Sequence, residues 1–148
     1  MSTRFPVYIE DGYTQKGYIA AVPGLFDALR FEFRPLVATD QSAHAKEEKK
    51  FSGPAWARFA ADFMAKRIVS WDAKKQDDSP VPLRGPEVAK IQPALFGRLY
   101  GILNGTDASD LDPEWSQAEK EESADYQFEA AADGTTPGAA AAYDREKN

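Results

Sequence analysis

The chain has no cysteine and one histidine, His44. Without cysteine there are no disulfides and no thiol nucleophile, a composition compatible with a reducing compartment. With one histidine, a zinc site would have to be assembled from carboxylates, which zinc sites rarely are. There is no Gly-x-x-x-x-Gly-Lys loop to cradle a phosphate and no serine in a Gly-x-Ser-x-Gly turn. No apolar run approaches the roughly 18 residues of a membrane span, and Met1–Pro6 lack the apolar stretch of a secretory signal. The expectation is a cytoplasmic protein without cofactor, metal or membrane partner.

What is present suits one domain: 148 residues, 43% hydrophobic and 12% aromatic, enough to furnish a core. Charge is unevenly placed. Residues 1–105 carry fifteen Lys/Arg against twelve Asp/Glu, whereas residues 106–148 carry three against twelve. The acidity is therefore a property of the tail. Such a chain is poorly suited to wrapping nucleic acid, whose binding is driven by opposed positive charge. The tail instead suits a basic partner, including the chain's own body.

Residues 5–34 read as β structure. Phe5, Val7 and Ile9 alternate with other residues, Tyr18–Val22 is a short apolar run, and Leu29, Phe31 and Phe33 alternate with Arg30, Glu32 and Arg34. Turn signals at Asp11-Gly12 and Pro23-Gly24 separate them, and Pro35 ends the last. Thr39 or Asp40 caps a polar surface helix to about Lys50. Ser52-Gly53-Pro54 opens the next helix, in which Trp56, Phe59, Ala60, Phe63, Met64, Ile68 and Trp71 form one stripe broken only by Arg67. Asp77-Asp78-Ser79-Pro80 marks a turn. Short helices start at Pro86 and Pro93, the second with Leu95, Phe96, Leu99, Ile102 and Leu103 on one face, and Asn104-Gly105 stops it.

The expected architecture is α+β, with a small N-terminal antiparallel sheet packed on a helical bundle over residues 1–112. An acidic helix from Pro113 to about Ser123 follows, then a disordered Ala/Gly-rich tail to residue 148. The expected core is Phe31, Phe33, Trp56, Phe59, Phe63, Ile68, Trp71, Leu95, Leu99 and Leu103. Burial of Trp71 would make it a structural residue rather than a contact for a partner.

Candidates for chemistry are sparse. His44 lies among Lys46, Glu47 and Glu48 and reads as a solvated surface residue, since nothing nearby in sequence would orient a general base. Asp107, Asp110, Asp112 and Glu114 lack the spacing of an EF-hand loop and read as capping and solvation. A hydrolase would draw on His44, Asp62 and Asp72, which are scattered along the chain.

The order of several motifs over about residues 12–115 resembles the tail assembly chaperone families of long-tailed (siphovirus-like) bacteriophages and prophages. The motifs are Phe31-Glu32-Phe33-Arg34-Pro35, Ile68-Val69-Ser70-Trp71-Asp72, Pro80-Val81-Pro82-Leu83, Ile91-Gln92-Pro93-Ala94-Leu95, Leu103-Asn104-Gly105 and Ser109-Asp110-Leu111-Asp112-Pro113. The resemblance implies a non-enzymatic protein of the host cell cytoplasm. It would bind the tape-measure protein while tail tube subunits polymerise, and be absent from the mature virion. It also implies that a longer frameshifted form can exist, for which the terminal Lys147-Asn148 pair would suit a slippery codon run. The long Ala/Gly tail departs from the family pattern. Partner contacts are expected at Glu114, Trp115, Glu119, Tyr126 and Phe128, two of them isolated aromatics in an acidic stretch, and self-association is compatible with this. The alternatives are a structural virion component, such as a tail or head completion protein, and a small acidic regulatory or anti-defence protein.

Overall fold

The computed structural model describes residues 7–115, and these form an α+β body. In chain order the elements are β1 (Gln15–Ile19), β2 (Leu29–Phe33), α1 (Ala38–Glu48), α2 (Gly53–Arg67), β3 (Ile68–Trp71), α3 (Gly85–Val88) and α4 (Pro93–Leu103). The strands make one antiparallel sheet in the order β1-β2-β3.

β2 forms where the alternation requires. Leu29, Phe31 and Phe33 are buried on one face, and Arg30 and Glu32 point to the other. Opposite Phe31 on β1 stands Gly17. The Phe31 ring lies directly over this glycine, and any Cβ there would collide with it. The aromatic covers backbone that the missing side chain leaves bare.

The third strand departs from the expected helix. The stripe from Trp56 is helical only to Arg67; Ile68–Trp71 is extended and pairs with β2, with Trp71 opposite Phe31 and an irregularity at Glu32/Phe33. The β-branched pair Ile68-Val69 favours extended backbone, and β2 would otherwise carry unpaired donors and acceptors along that side. Arg67 fixes the corner, its guanidinium donating to the Arg34 carbonyl at 2.8 and 3.0 Å and to the Pro35 carbonyl at 3.1 Å. At the N-terminal side, residues 7–9 form no strand, and Val7 and Tyr8 are exposed. Alternation alone makes no strand where no neighbour supplies a ladder. Phe5 lies outside the described residues, as do the expected tail and most of the expected acidic helix.

The core is one contiguous cluster. Phe31, Phe33, Ile68, Leu95, Leu99 and Leu103 are buried in it as expected, together with Ala60, Ala61 and Met64, which have no exposed surface. Trp56, Phe63 and Trp71 are half-buried and pack against its edge, and Phe59 is half-buried beyond it. The face that α2 buries deepest is thus made of small residues and one methionine, which lets the helix approach closely. Its aromatics line the flank. Trp71 also donates its indole N–H to the Val81 carbonyl at 2.9 Å, tying β3 to the loop that follows.

α1 buries no residue completely, as its thin apolar face suggests. It starts two or three residues earlier than expected, with Val37 at the N-cap and no side-chain cap. Asp40 in the first turn still complements the helix dipole. α4 ends at Asn104, and Gly105 takes the left-handed conformation (φ 89°) that a helix stop needs.

Candidate functional site

Three segments from different parts of the chain enclose an open groove of about 940 Å³. They are the turn between β1 and β2, the loop after β3, and the stretch joining α3 to α4. Buried Leu29 and Leu95 lie at its base, with half-buried Phe26, Val81 and Ile91 on its walls. A backbone bridge between Val22 and Phe26 tightens the first wall and thrusts Leu25 outward, 50% exposed. The second wall is a small hairpin in which Lys74 bridges Pro80. At its tip Asp77 accepts from the Ser79 amide at 3.0 Å and the Ser79 hydroxyl at 2.6 Å, which pulls the Asp77 carboxyl below its ordinary value. The expected turn at 77–80 is present, and Asp78 there has positive φ.

The rim is charged. Exposed Lys74, Lys75 and Lys90 face the groove without an ion pair among the described residues. Of the carboxylates, Glu87 pairs with Arg84 at 3.5 Å and Asp72 accepts from the Arg30 amide at 2.9 Å; Asp27 and Asp78 complete the set. An apolar base inside a polar rim is the usual build of a ligand or peptide groove. The arrangement suits recognition of an apolar segment flanked by charge.

A second constellation is polar and closes the sheet rather than opening it. Ser109 and Asp110 bond the outer edge of β1, and Asp112 and Glu114 reach Arg30 of β2. Ser109 Oγ accepts from the Tyr18 amide at 2.7 Å and donates to the Tyr18 carbonyl at 3.0 Å. The Asp110 amide donates to the same carbonyl at 2.9 Å, and its carboxylate accepts from the Ala20 amide at 2.9 Å. On the outer face Arg30 lies over the Tyr18 ring, 5.0 Å from its centroid, and donates to buried Asp112 at 2.8 and 3.1 Å. These carboxylates raise the Arg30 guanidinium above its ordinary value, the hydrogen bond to Asp112 most of all. Arg98 holds Asp110 at 2.8 Å. Asp112 makes the capping bond expected of it, its carboxylate accepting from the Glu114 amide at 2.9 Å, and beyond capping Asp110 and Asp112 are each bound by an arginine.

Of the expected partner contacts, Glu114 pairs with Arg30 at 3.3 Å and keeps an exposed side chain, whereas Trp115 is buried, at 8% exposure. Glu119, Tyr126 and Phe128 lie outside the described residues.

His44 corrects its reading as a solvated residue. Its ring stacks on Phe63 (3.9 Å between centroids) and Phe59 (5.2 Å), and Nε2 is 2.6 Å from the Tyr100 hydroxyl. Burial pushes the imidazole below its ordinary value, opposed by nearby Glu48. Burial and Glu48 likewise raise the Tyr100 phenol. This aromatic group, with Trp56 edge-on to Tyr100 and donating to Glu48 at 2.8 Å, holds α1 on α2 and α4. The helical period of α1 gave no sign of it, because the partners are 15 to 56 residues away. Asp62 sits on α2 beside Gly85, and Asp72 ends β3, so His44, Asp62 and Asp72 do not share one element.

No protein-family model matches the chain, and neither a curated protein nor a solved structure matches it.

Proposed function

We propose that this chain is a non-enzymatic binding protein that serves as a tail assembly chaperone of a long-tailed phage, holding segments of the tape-measure protein in the host cytoplasm until tube subunits surround them. The observation that carries the reading is the open groove, with Leu29 and Leu95 at its base and charged residues of both signs at its rim. A long helical client that associates with itself before assembly needs its apolar stripe covered reversibly. A half-open groove with charged margins does this by laying an amphipathic helix along its base. The order of motifs over residues 12–115 supports the same reading. No helix among the described residues is long and apolar enough to cross a membrane.

The test is binding of the full chain to fragments of the tape-measure protein from the same genome. Binding is expected, and the exposed substitution Leu25→Asp should weaken it about tenfold or more, since a charge placed on an apolar contact costs about 1–3 kcal/mol. Absence of binding to every fragment would overturn the reading. Recovery of the chain in stoichiometric amount from purified particles would favour a structural virion component instead.

A further inference from the structure

We propose that α1 is a detachable cover with His44 as its latch: protonation of the ring frees the helix and bares the aromatic side of α2 and α4 beneath it. Every residue of Ala38–Glu48 is exposed except His44 and Glu48, which lie one helical turn apart on the same face. The hold of α1 on the body therefore rests chiefly on those two side chains. His44 stacks on Phe63 and Phe59 of α2 and meets the Tyr100 hydroxyl of α4, and Glu48 accepts the Trp56 indole N–H. Gln41 adds an exposed bond, donating to the Asn104 carbonyl at 2.8 Å.

Nothing within α1 replaces that hold. It has no side-chain N-cap, and its 11 residues are too few to stay helical in water unaided. Undocking therefore melts it. A neutral imidazole lies on two phenyl rings without surrendering the hydration of a charge, whereas an imidazolium there must shed water. Burial accordingly holds the ring below its ordinary 6.5. The groups that face it are Glu48 on α1, which favours the proton, and Tyr100 on α4; Phe59 and Phe63 on α2 carry no charge. Because the docked value lies below the undocked one, docking is strongest above about 6.5 and weakens as pH falls toward the docked value. Lifting α1 uncovers Phe59, Phe63 and Tyr100 and releases the Trp56 indole from Glu48. No residue of α1 lines the groove, so the device stands apart from the chaperone reading.

Hydrogen exchange of the full chain tests this. Two indole N–H groups are built-in reporters, since Trp56 bonds Glu48 under α1 and Trp71 bonds the Val81 carbonyl away from it. Protection, corrected for the intrinsic rate, is expected to be at least about tenfold lower for the amides of residues 42–48 and the Trp56 indole than for the α4 amides. Lowering the pH from about 7.5 to about 5.5 should weaken protection of α1 and Trp56 severalfold. The upper bound is about tenfold, set by an undocked value of 6.5. Protection of the Trp71 indole should not change. His44→Phe keeps an aromatic ring over Phe59 and Phe63 but does not titrate, so the acid effect should vanish in it. His44 is half-exposed, so the body stays folded in this variant, as protection of its α4 amides reports. Protection of α1 equal to that of α4, or the same acid sensitivity in His44→Phe as in the parent, would overturn the proposal.

Discussion

The two faces of the three-stranded sheet are covered by opposite means. On the inner face Leu29, Phe31 and Phe33 meet an aliphatic core in which Leu99, Leu103, Val88 and Met64 have no exposed surface. On the outer face Arg30 lies over Tyr18 and is gripped by Asp112, while Ser109 and Asp110 occupy the hydrogen-bonding edge of β1. The inner face is held by dispersion and the removal of apolar surface from water. The outer is held by directional bonds that satisfy groups the sheet would otherwise leave open. One face gains stability from volume filled, the other from donors and acceptors matched. This difference also leaves the β1 edge bonded at residues 18 and 20 rather than bare.

The comparison breaks most readily on the inner side. Leu99→Ala removes a fully buried side chain from the middle of the cluster and should cost about 2–5 kcal/mol in denaturant unfolding. A variant that unfolds at the same denaturant concentration as the parent would show that α4 does not build the interior.

A smaller effect sharpens it at His44, where apolar stacking and a polar pair act on one ring. Burial holds the folded imidazole below its ordinary value of 6.5, so the unfolded chain takes up the proton more readily. Its contribution to stability is complete above about 6.5 and declines as pH falls from there toward the lower folded value. The parent should therefore lose more melting temperature between about pH 7.5 and pH 5 than His44→Gln, while carboxylates elsewhere affect both alike. The groups facing this ring are Glu48, which favours the proton, and the Tyr100 hydroxyl. Equal losses in the two proteins would place the ring in water.

The same contrast explains what the amino-acid order revealed. β2 was legible because its inward and outward residues alternate without interruption, and α4 because its apolar face repeats at the helical period and ends in Asn104-Gly105. The switch at Ile68 was hidden. Ile68 and Trp71 fit a helical stripe as well as a strand, and what decides between them is the vacant side of β2, a tertiary fact. The β-branched Ile68-Val69 pair was the local sign available. Val7 and Ile9 alternate equally well yet form no strand, because periodicity does not supply a pairing partner. The bonds that clip residues 109–112 to the sheet were out of reach altogether. Ser109 and Tyr18 are 91 residues apart, Arg30 and Asp112 are 82 apart, and short polar residues after a helix stop read as loop. The groove was missed for a related reason, since its three walls come from segments that the sequence shows only as turns and connections.

Backbone amide exchange of the full chain at residues 18 and 20 tests most directly whether the outer side is sealed from within. These two amides lie on the free edge of β1 and donate to Ser109 Oγ and the Asp110 carboxylate. The account predicts that the Tyr18 and Ala20 amides are protected nearly as well as those that pair β1 with β2. Exchange at the rate of an open strand edge would contradict it, and would mean that residues 109–112 leave β1 available to other chains.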